Sequence, residues 1–197
     1  MDQIEIDTVS GDEITPWLED MARLRLQVFH EFPYLYEGSF DYEADYLRKY
    51  ARSKNSVFIL ARVNNQVVGA ATGLPLRDAD PEFQEPFTEH GLEVDQYFYF
   101  GESVLDKNFR GRGIGHMFFD AREAFAWQNK FRLTTFCAVE RPESHPKRPS
   151  DYRPLDKFWE ARGYQKHPEL RTSYNWLDIG DTEETAKPMV FWIKKPV

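Results

Sequence analysis

The segment Leu105-Asp106-Lys107-Asn108-Phe109-Arg110-Gly111-Arg112-Gly113-Ile114-Gly115 carries the most specific chemistry in this chain. Glycines let a backbone come close to a ligand with its N–H groups exposed, and an adjoining helix N-terminus adds partial positive charge. Together they make an anion site best suited to phosphate. Lys107, Arg110 and Arg112 add three positive charges, and no acid lies between 107 and 119. A tight strand-to-helix turn uses glycine equally well, and on the glycines alone that plainer reading stays ahead. A Walker loop is excluded, because no Gly-Lys is followed by Ser or Thr. The dinucleotide pattern G-x-G-x-x-G fails at His116.

Just upstream, Glu102 is the only acid in Tyr97-Phe98-Tyr99-Phe100-Gly101-Glu102-Ser103-Val104-Leu105. An acid in so apolar a segment is costly unless it is solvated or paired. It reads as a base for proton removal or, equally, as the partner of an arginine or a backbone N–H. Cys137 lies in the apolar Leu133–Val139 with nothing adjacent to activate it, and reads as an inert buried thiol. The five histidines show no metal-ligand spacing with one another or with Cys137, so no metal is expected. The bases of the loop 140–153 (Arg141, His145, Lys147, Arg148, Arg153) read as solvated, with a phosphate contact as the second reading.

A strand has to carry Glu102 to the turn, and a helix has to follow. Tyr97 to Leu105 supplies the strand; 112–128 supplies the helix, with Ile114, Met117, Phe118, Ala121 and Phe125 on one face. With a further strand at 134–139 they form one βαβ unit, whose crossover is right-handed. Upstream, 3–9 alternates as a short strand. Leu18, Met21, Ala22, Arg25, Val28 and Phe29 have helical spacing behind a Thr15-Pro16 start, and a second helix runs over 41–52 from an Asp41 cap. The runs 57–63 and 66–74 flank Asn64-Asn65 as a hairpin. Residues 78–95 read as a surface connection containing at most a short helix. Beyond the basic loop come a helix at 152–162 and strands near 172–178 and 188–194. No Pro-, Gly- or Ser-rich linker divides 1–197, which therefore reads as one domain: a mixed α/β (α+β) fold with a mostly antiparallel central sheet, helices on both faces and one parallel βαβ unit.

In this order the motifs resemble a known family. Arg110-Gly111-Arg112-Gly113-Ile114-Gly115 is similar to the (Gln/Arg)-x-x-Gly-x-(Gly/Ala) motif of the GNAT superfamily of acyl-CoA N-acyltransferases. Phe158-Trp159-Glu160-Ala161-Arg162-Gly163-Tyr164 resembles that family's late helix ending. The resemblance implies a cleft between splayed strands that takes acetyl-CoA as co-substrate, with 97–165 as the coenzyme core and 1–52 on the acceptor side. The pyrophosphate would meet the N–H groups of Gly111, Arg112, Gly113, Ile114 and Gly115, with Arg110 and His116 beside it. Pantetheine would pair along Ser103, Val104 and Leu105. The reaction implied is direct attack of a primary amine in a ternary complex, with Glu102 as base. Where the family often has a proton-donating tyrosine this chain has Trp159, so Tyr164 and Tyr152 become the candidate acids, with packing as the plainer role of each. An acyl-CoA-binding sensor without turnover is the alternative.

Composition sets limits on partners. The chain has 197 residues, 25 Lys plus Arg and 33 Asp plus Glu, a net charge of −8. Residues 1–50 hold 12 acids and 4 bases, so the whole excess lies in the first quarter of the chain. That balance disfavours nucleic acid. No apolar run approaches the ~20 residues of a membrane span. The N-terminus lacks the basic start and apolar run of a secretory signal, and one cysteine excludes an internal disulfide, so a cytoplasmic setting is expected. Seven aromatics fall between Phe29 and Tyr46. Of these, Phe32, Tyr34 and Tyr36, beside the acids Glu31, Glu37, Asp41 and Glu43, would suit an amine that has an apolar part. An exposed strand edge near 172–194 leaves a homodimer open.

Overall fold

The computed structural model describes residues 3–196. Its strands are β1 (Glu5–Val9), β2 (Val57–Val63), β3 (Gln66–Pro75), β4 (Tyr97–Tyr99), β5 (Ser103–Leu105), β6 (Leu133–Val139), β7 (Gln165–Trp176) and β8 (Thr185–Lys194). Its helices are α1 (Leu18–Phe29), α2 (Phe40–Arg52), α3 (Pro81–Glu89), α4 (Ile114–Gln128) and α5 (Asp156–Ala161). The sheet runs β1-β2-β3-β4-β6-β8-β7, with β5 pairing β3 off that path. Every pairing is antiparallel except β4 with β6, which α4 connects. Mixed α/β architecture and the single parallel unit are as the sequence predicts.

Alternation along the strands divides the core between two faces. Cys137, Met189 and Phe191 face α1, α2 and α3 together with Met21, Leu47 and Phe87. Phe136 and Trp192 face α4 and α5, packed with Phe118, Phe119 and Tyr164. The hairpin turns at Asn64 and Asn65, at φ 50° and 64°, the left-handed region that asparagine tolerates.

Several boundaries differ from expectation, each for a local reason. Thr15-Pro16 falls inside a 3-10 turn over Gly11–Trp17, which the Ser10 amide opens by donating to Glu13 Oε2 at 3.1 Å; α1 begins only at Leu18. Ser39, not Asp41, caps α2, its Oγ accepting from the Tyr42 amide at 3.4 Å. The connection at 78–95 is not a surface strap. Within it α3 stacks Phe83 on Tyr99 and Tyr174, and turns Phe87 edge-on to Tyr97 and Phe191. The last helix starts at Asp156, four residues late, and β7 starts at Gln165. The register of β7 shifts between His167 and Arg171, across Pro168, which has no N–H for the ladder. The free edge on that side of the sheet belongs to β7; β8 is paired on both sides.

Candidate active site

The strand predicted from Tyr97 to Leu105 is two strands, and the break between them makes the site. Leu74 stands opposite Tyr99, yet Ala71 stands opposite Ser103. Thr72 and Gly73 therefore face three residues, Phe100, Gly101 and Glu102, which is a β-bulge. Gly101 is required there: a Cβ would lie 2.4 Å from the Tyr50 hydroxyl and 2.8 Å from Thr72 Oγ1. The Phe100 amide still reaches Thr135 O of β6 at 2.8 Å. Beyond it β5 stays with β3 while β6 continues with β8, so the sheet splits between β5 and β6.

The split leaves one edge of β5 open. Thr72 N donates to Glu102 O at 3.1 Å and Asp106 N to Val68 O at 2.9 Å. Antiparallel alternation then directs the N–H and C=O of Val104 to Ala70, and those of Ser103 and Leu105 away from β3. Of the three residues expected along the pantetheine, Val104 thus turns its backbone groups to β3, while Ser103 and Leu105 turn theirs to the open edge. Leu105 O accepts from Arg110 Nε at 3.2 Å. The Ser103 side chain turns toward α4, where Arg122 Nη2 donates to its Oγ at 2.7 Å.

Below the split lies the glycine turn. Gly111 and Gly113 have φ of 77° and 81°, and Gly113 is the N-cap of α4. Among the described residues, the amides from Gly111 to Gly115 donate to no backbone carbonyl. Nothing lies within 4 Å of a Cβ built on Gly111 or Gly113, so both faces are open to a ligand. The Ile114 side chain is buried, leaving only its amide for binding. Arg112 donates to Asn108 O at 3.1 Å, its guanidinium over Phe109. Arg110 Nη1 pairs with Glu31 Oε2 at 2.8 Å. His116 is exposed beside the turn, edge-on to Phe158 and 3.2 Å from Arg162 Nη1. An anion such as a pyrophosphate fits these donors, and the open edge of β5 fits an extended amide chain such as pantetheine.

On the opposite side of the bulge, three ionisable side chains are packed together. Arg25 of α1 lies between Glu43 of α2, which accepts from its Nε, and Glu102, whose Oε2 is 2.7 Å from its Nη1. Their side chains are 7%, 1% and 3% exposed respectively. The Glu102 contact is close but out of line for a hydrogen bond. Glu102 Oε1 and Oε2 and Glu43 Oε1 have no hydrogen-bond partner among the described residues. Burial opposes the Arg25 charge, but Glu102 and Glu43 outweigh it and hold the guanidinium above its ordinary range. Tyr46 and Phe29 present their ring faces to it at 4.3 and 4.9 Å. Glu102 is thus an arginine partner, one of the two readings the sequence leaves open, and the cluster has a formal charge of −1.

The aromatic loop after α1 is pinned beside this cluster. Arg141 forks onto Asp178, both bonds at 2.8 Å, and also donates to Pro33 O and Tyr34 O. It is a structural clamp, neither a solvated loop base nor a phosphate ligand. Trp176 Nε1 donates to Tyr34 O at 3.0 Å, and the Tyr34 ring rests against Phe29. Burial, then Cys137, Glu102 and Tyr152, raise the pKa of the Tyr34 hydroxyl. Phe32 packs edge-on to Tyr152 at 4.7 Å, and burial raises the pKa of Tyr152. Tyr36 bridges to Asp178, and Glu37 is exposed.

Other candidates are held elsewhere. Tyr164 is buried on the α4 side, its hydroxyl at 3.1 Å from Glu123 Oε1 and 3.0 Å from Thr134 Oγ1. It faces away from the Glu102 side, a placement that counts against its donating a proton there. Trp159 packs on Phe136 and Trp192. The Cys137 Sγ lies 3.2 Å from the Tyr99 hydroxyl, and burial pushes its pKa up to about 12, as an inert thiol requires. Among the described residues no His, Cys, Asp and Glu group could hold a metal, and no helix is long and apolar enough to cross a membrane.

Three residues of these networks were not singled out from the sequence: Arg25, Arg122 and Asp178. For two of them there was a signal. Arg25 and Arg122 each occupy an otherwise apolar face of a helix, where a charge needs a buried partner.

The class that this fold and site define is a GNAT-type acetyltransferase. Residues 18–148 match the model of the Acetyltransferase (GNAT) family, about two thirds of the chain, and the protein belongs to that family. No curated protein sequence matches it. Among solved structures it is similar to a proposed acetyltransferase from Acinetobacter baylyi ADP1, with 12% identity and a TM-score of 0.65 over 100% of this chain and 93% of that one. It is also similar to ribosomal-protein-alanine N-acetyltransferase from Brucella melitensis, with 13% identity and a TM-score of 0.62 over 98% of this chain and 99% of that one. An N-acetyltransferase from Staphylococcus aureus Mu50 matches at 12% identity and a TM-score of 0.59, with 98% of each chain covered. At these identities the likeness is one of fold.

Proposed function

We propose that this protein is an N-acetyltransferase that moves the acetyl group of acetyl-CoA onto a primary amine by direct attack in a ternary complex. The observation that carries the reading is the bulge, which puts two sites back to back. Toward α4 and the glycine turn it offers free amides and an open strand edge. Toward α1 and α2 it offers a carboxylate cluster with unmet oxygens. Acetyl-CoA supplies an activated thioester; the remaining chemistry belongs to the chain.

Attack requires the amine lone pair, and a free alkylamine with pKa near ~10.4 is mostly protonated at neutral pH. A cluster of formal charge −1 favours bringing such a cation in. The nitrogen becomes strongly acidic as its bond to the carbonyl carbon forms, so a carboxylate suffices to take its proton. Glu102 is the carboxylate on the bulge, its Oε2 2.7 Å from Arg25 Nη1. The ammonium first gives one proton to solvent, which frees the lone pair; the C–N bond then forms, the C–S bond breaks, the second amine proton goes to Glu102 and the thiolate takes one from solvent or Tyr152. Proximity and a polarised carbonyl supply the rest of the acceleration. Phe32, Tyr34, Tyr36 and Glu37 line the approach. The acceptor class includes small amines and peptides; the Brucella melitensis protein is named for a ribosomal-protein alanine.

Trp159, standing where the family often has tyrosine, favours a second reading, an acyl-CoA-binding module without turnover. Release of free thiol from acetyl-CoA across a panel of primary amines separates the two. Amine-dependent release is expected, together with a fall of about 10²–10⁴-fold in kcat for Glu102→Gln, the usual range for a lost general base. Tight CoA binding with no release by any amine establishes the module instead.

A further inference from the structure

Arg122 lies in the middle of α4, the helix that begins at the glycine turn, and its side chain is only 1% exposed. Its Nη1 donates both to Glu102 O at 2.9 Å and to Thr72 O at 3.1 Å. Its Nη2 donates to Ser103 Oγ at 2.7 Å, and its Nε to Phe118 O at 3.2 Å. The rings of Phe100 and Phe119 lie 4.2 and 4.9 Å from the guanidinium carbon. Burial lowers its pKa to about 10, so the group stays charged at neutral pH. No carboxylate forms an ion pair with it among the described residues. A buried guanidinium that meets carbonyls instead of an acid is costly to keep.

The acceptors it meets explain the position. Glu102 O and Thr72 O face each other across the bulge, where the strand leaves β6 and stays with β3. Ser103 is the first residue of the open edge. We propose that Arg122 is a positioning residue that sets the cleft: wedged into the bulge, it ties β5 to β3 and to α4, which keeps the Ser103–Leu105 edge free and aimed at the pantetheine arm. This rests on the acetyl-CoA reading above and adds the device that shapes that site. Thr72 O still receives the Gly101 amide at 3.2 Å and Glu102 O the Thr72 amide at 3.1 Å, so removing Arg122 orphans neither carbonyl.

Titration calorimetry of the whole chain with two ligands tests this. CoA engages both ends of the site, whereas adenosine 3′,5′-bisphosphate lacks the pantetheine arm. For Arg122→Met the expected result is CoA weakened about tenfold, the value of one or two main-chain hydrogen bonds, with the bisphosphate within twofold of wild type. Arg122→Lys should recover part of the loss, and Ser103→Ala should lose less than Arg122→Met. Near-UV circular dichroism reports whether each variant is folded; should Arg122→Met fail to fold, Arg122→Lys and Ser103→Ala make the same comparison. Equal weakening of both ligands shows a role in the fold alone, and unchanged affinity for both shows that the bulge holds without Arg122. Either result overturns the proposal. If the wild-type protein binds neither ligand, the coenzyme reading falls first and the positioning role with it.

Discussion

Replacing Arg25 with methionine tests the charge balance on the side of the bulge that faces α1 and α2. The guanidinium, 7% exposed, stands between two carboxylates that are 1% and 3% exposed. Without it, two acids remain in a dry, aromatic setting with no counter-charge. Breaking a buried pair by removing one partner costs about 3–5 kcal/mol. At ~2.1 cal/mol/K per residue, the unfolding entropy of this chain is about 0.4 kcal/mol/K. The melting temperature should therefore fall by about 7–12 °C. Scanning calorimetry reads the shift, and urea unfolding at fixed pH gives the free energy independently. Arg25→Lys should fall between, since a single ammonium cannot present the two separated donors of the fork. The decisive control removes all three charges: Arg25→Met with Glu43→Leu and Glu102→Met. Apolar replacement of buried ionic triads is often neutral or stabilising, so this variant should regain at least half of the loss. A fall of less than 2 °C for Arg25→Met, or a triple variant no better than the single one, would refute the reasoning.

Two further outcomes follow from the turn and from the thiol. Gly113→Glu sets an anionic side chain at the N-cap of α4, where φ is 81°, and should abolish CoA binding while lowering the melting temperature by only a few degrees; Arg110→Ala should weaken CoA about tenfold, and wild-type affinity in both removes the phosphate assignment. Burial raises the Cys137 pKa to about 12 from its ordinary 9.0, so its contribution to stability is complete below pH 9 and is lost as pH rises from 9 toward 12. Cys137→Ala should therefore show a shallower alkaline loss in urea unfolding, by up to one proton, and identical slopes would show that the thiol is not held protonated.

The glycine turn was legible because its requirements are local. Positive φ at Gly111 and Gly113, free amides and the following helix all come from neighbouring residues. The same holds for the Asn64-Asn65 hairpin and for the βαβ order. The bulge was not legible. Tyr97 to Leu105 reads as one continuous apolar strand, and the extra residue appears only when Thr72 and Gly73 are set against Phe100, Gly101 and Glu102. Phe83 and Phe87 were hidden in a different way, because the acids and prolines around them outweigh two apolar positions four apart.

The acid-rich first quarter of the chain shows the boundary most clearly. Its excess charge, its aromatic residues and its amphipathic helices could be counted from the residues. Which acid matters could not be counted. Glu43 looks like any other carboxylate on an acidic helix, and Glu102 like an isolated acid on a strand 59 positions later. Folding α1 and α2 against the bulge brings both to Arg25, excludes water and leaves their remaining oxygens unmet. Local conformation and charge follow from neighbours along the chain, so the sequence reports them. Desolvation and pairing depend on what the other elements bring, so they exist only after the sheet has closed around them.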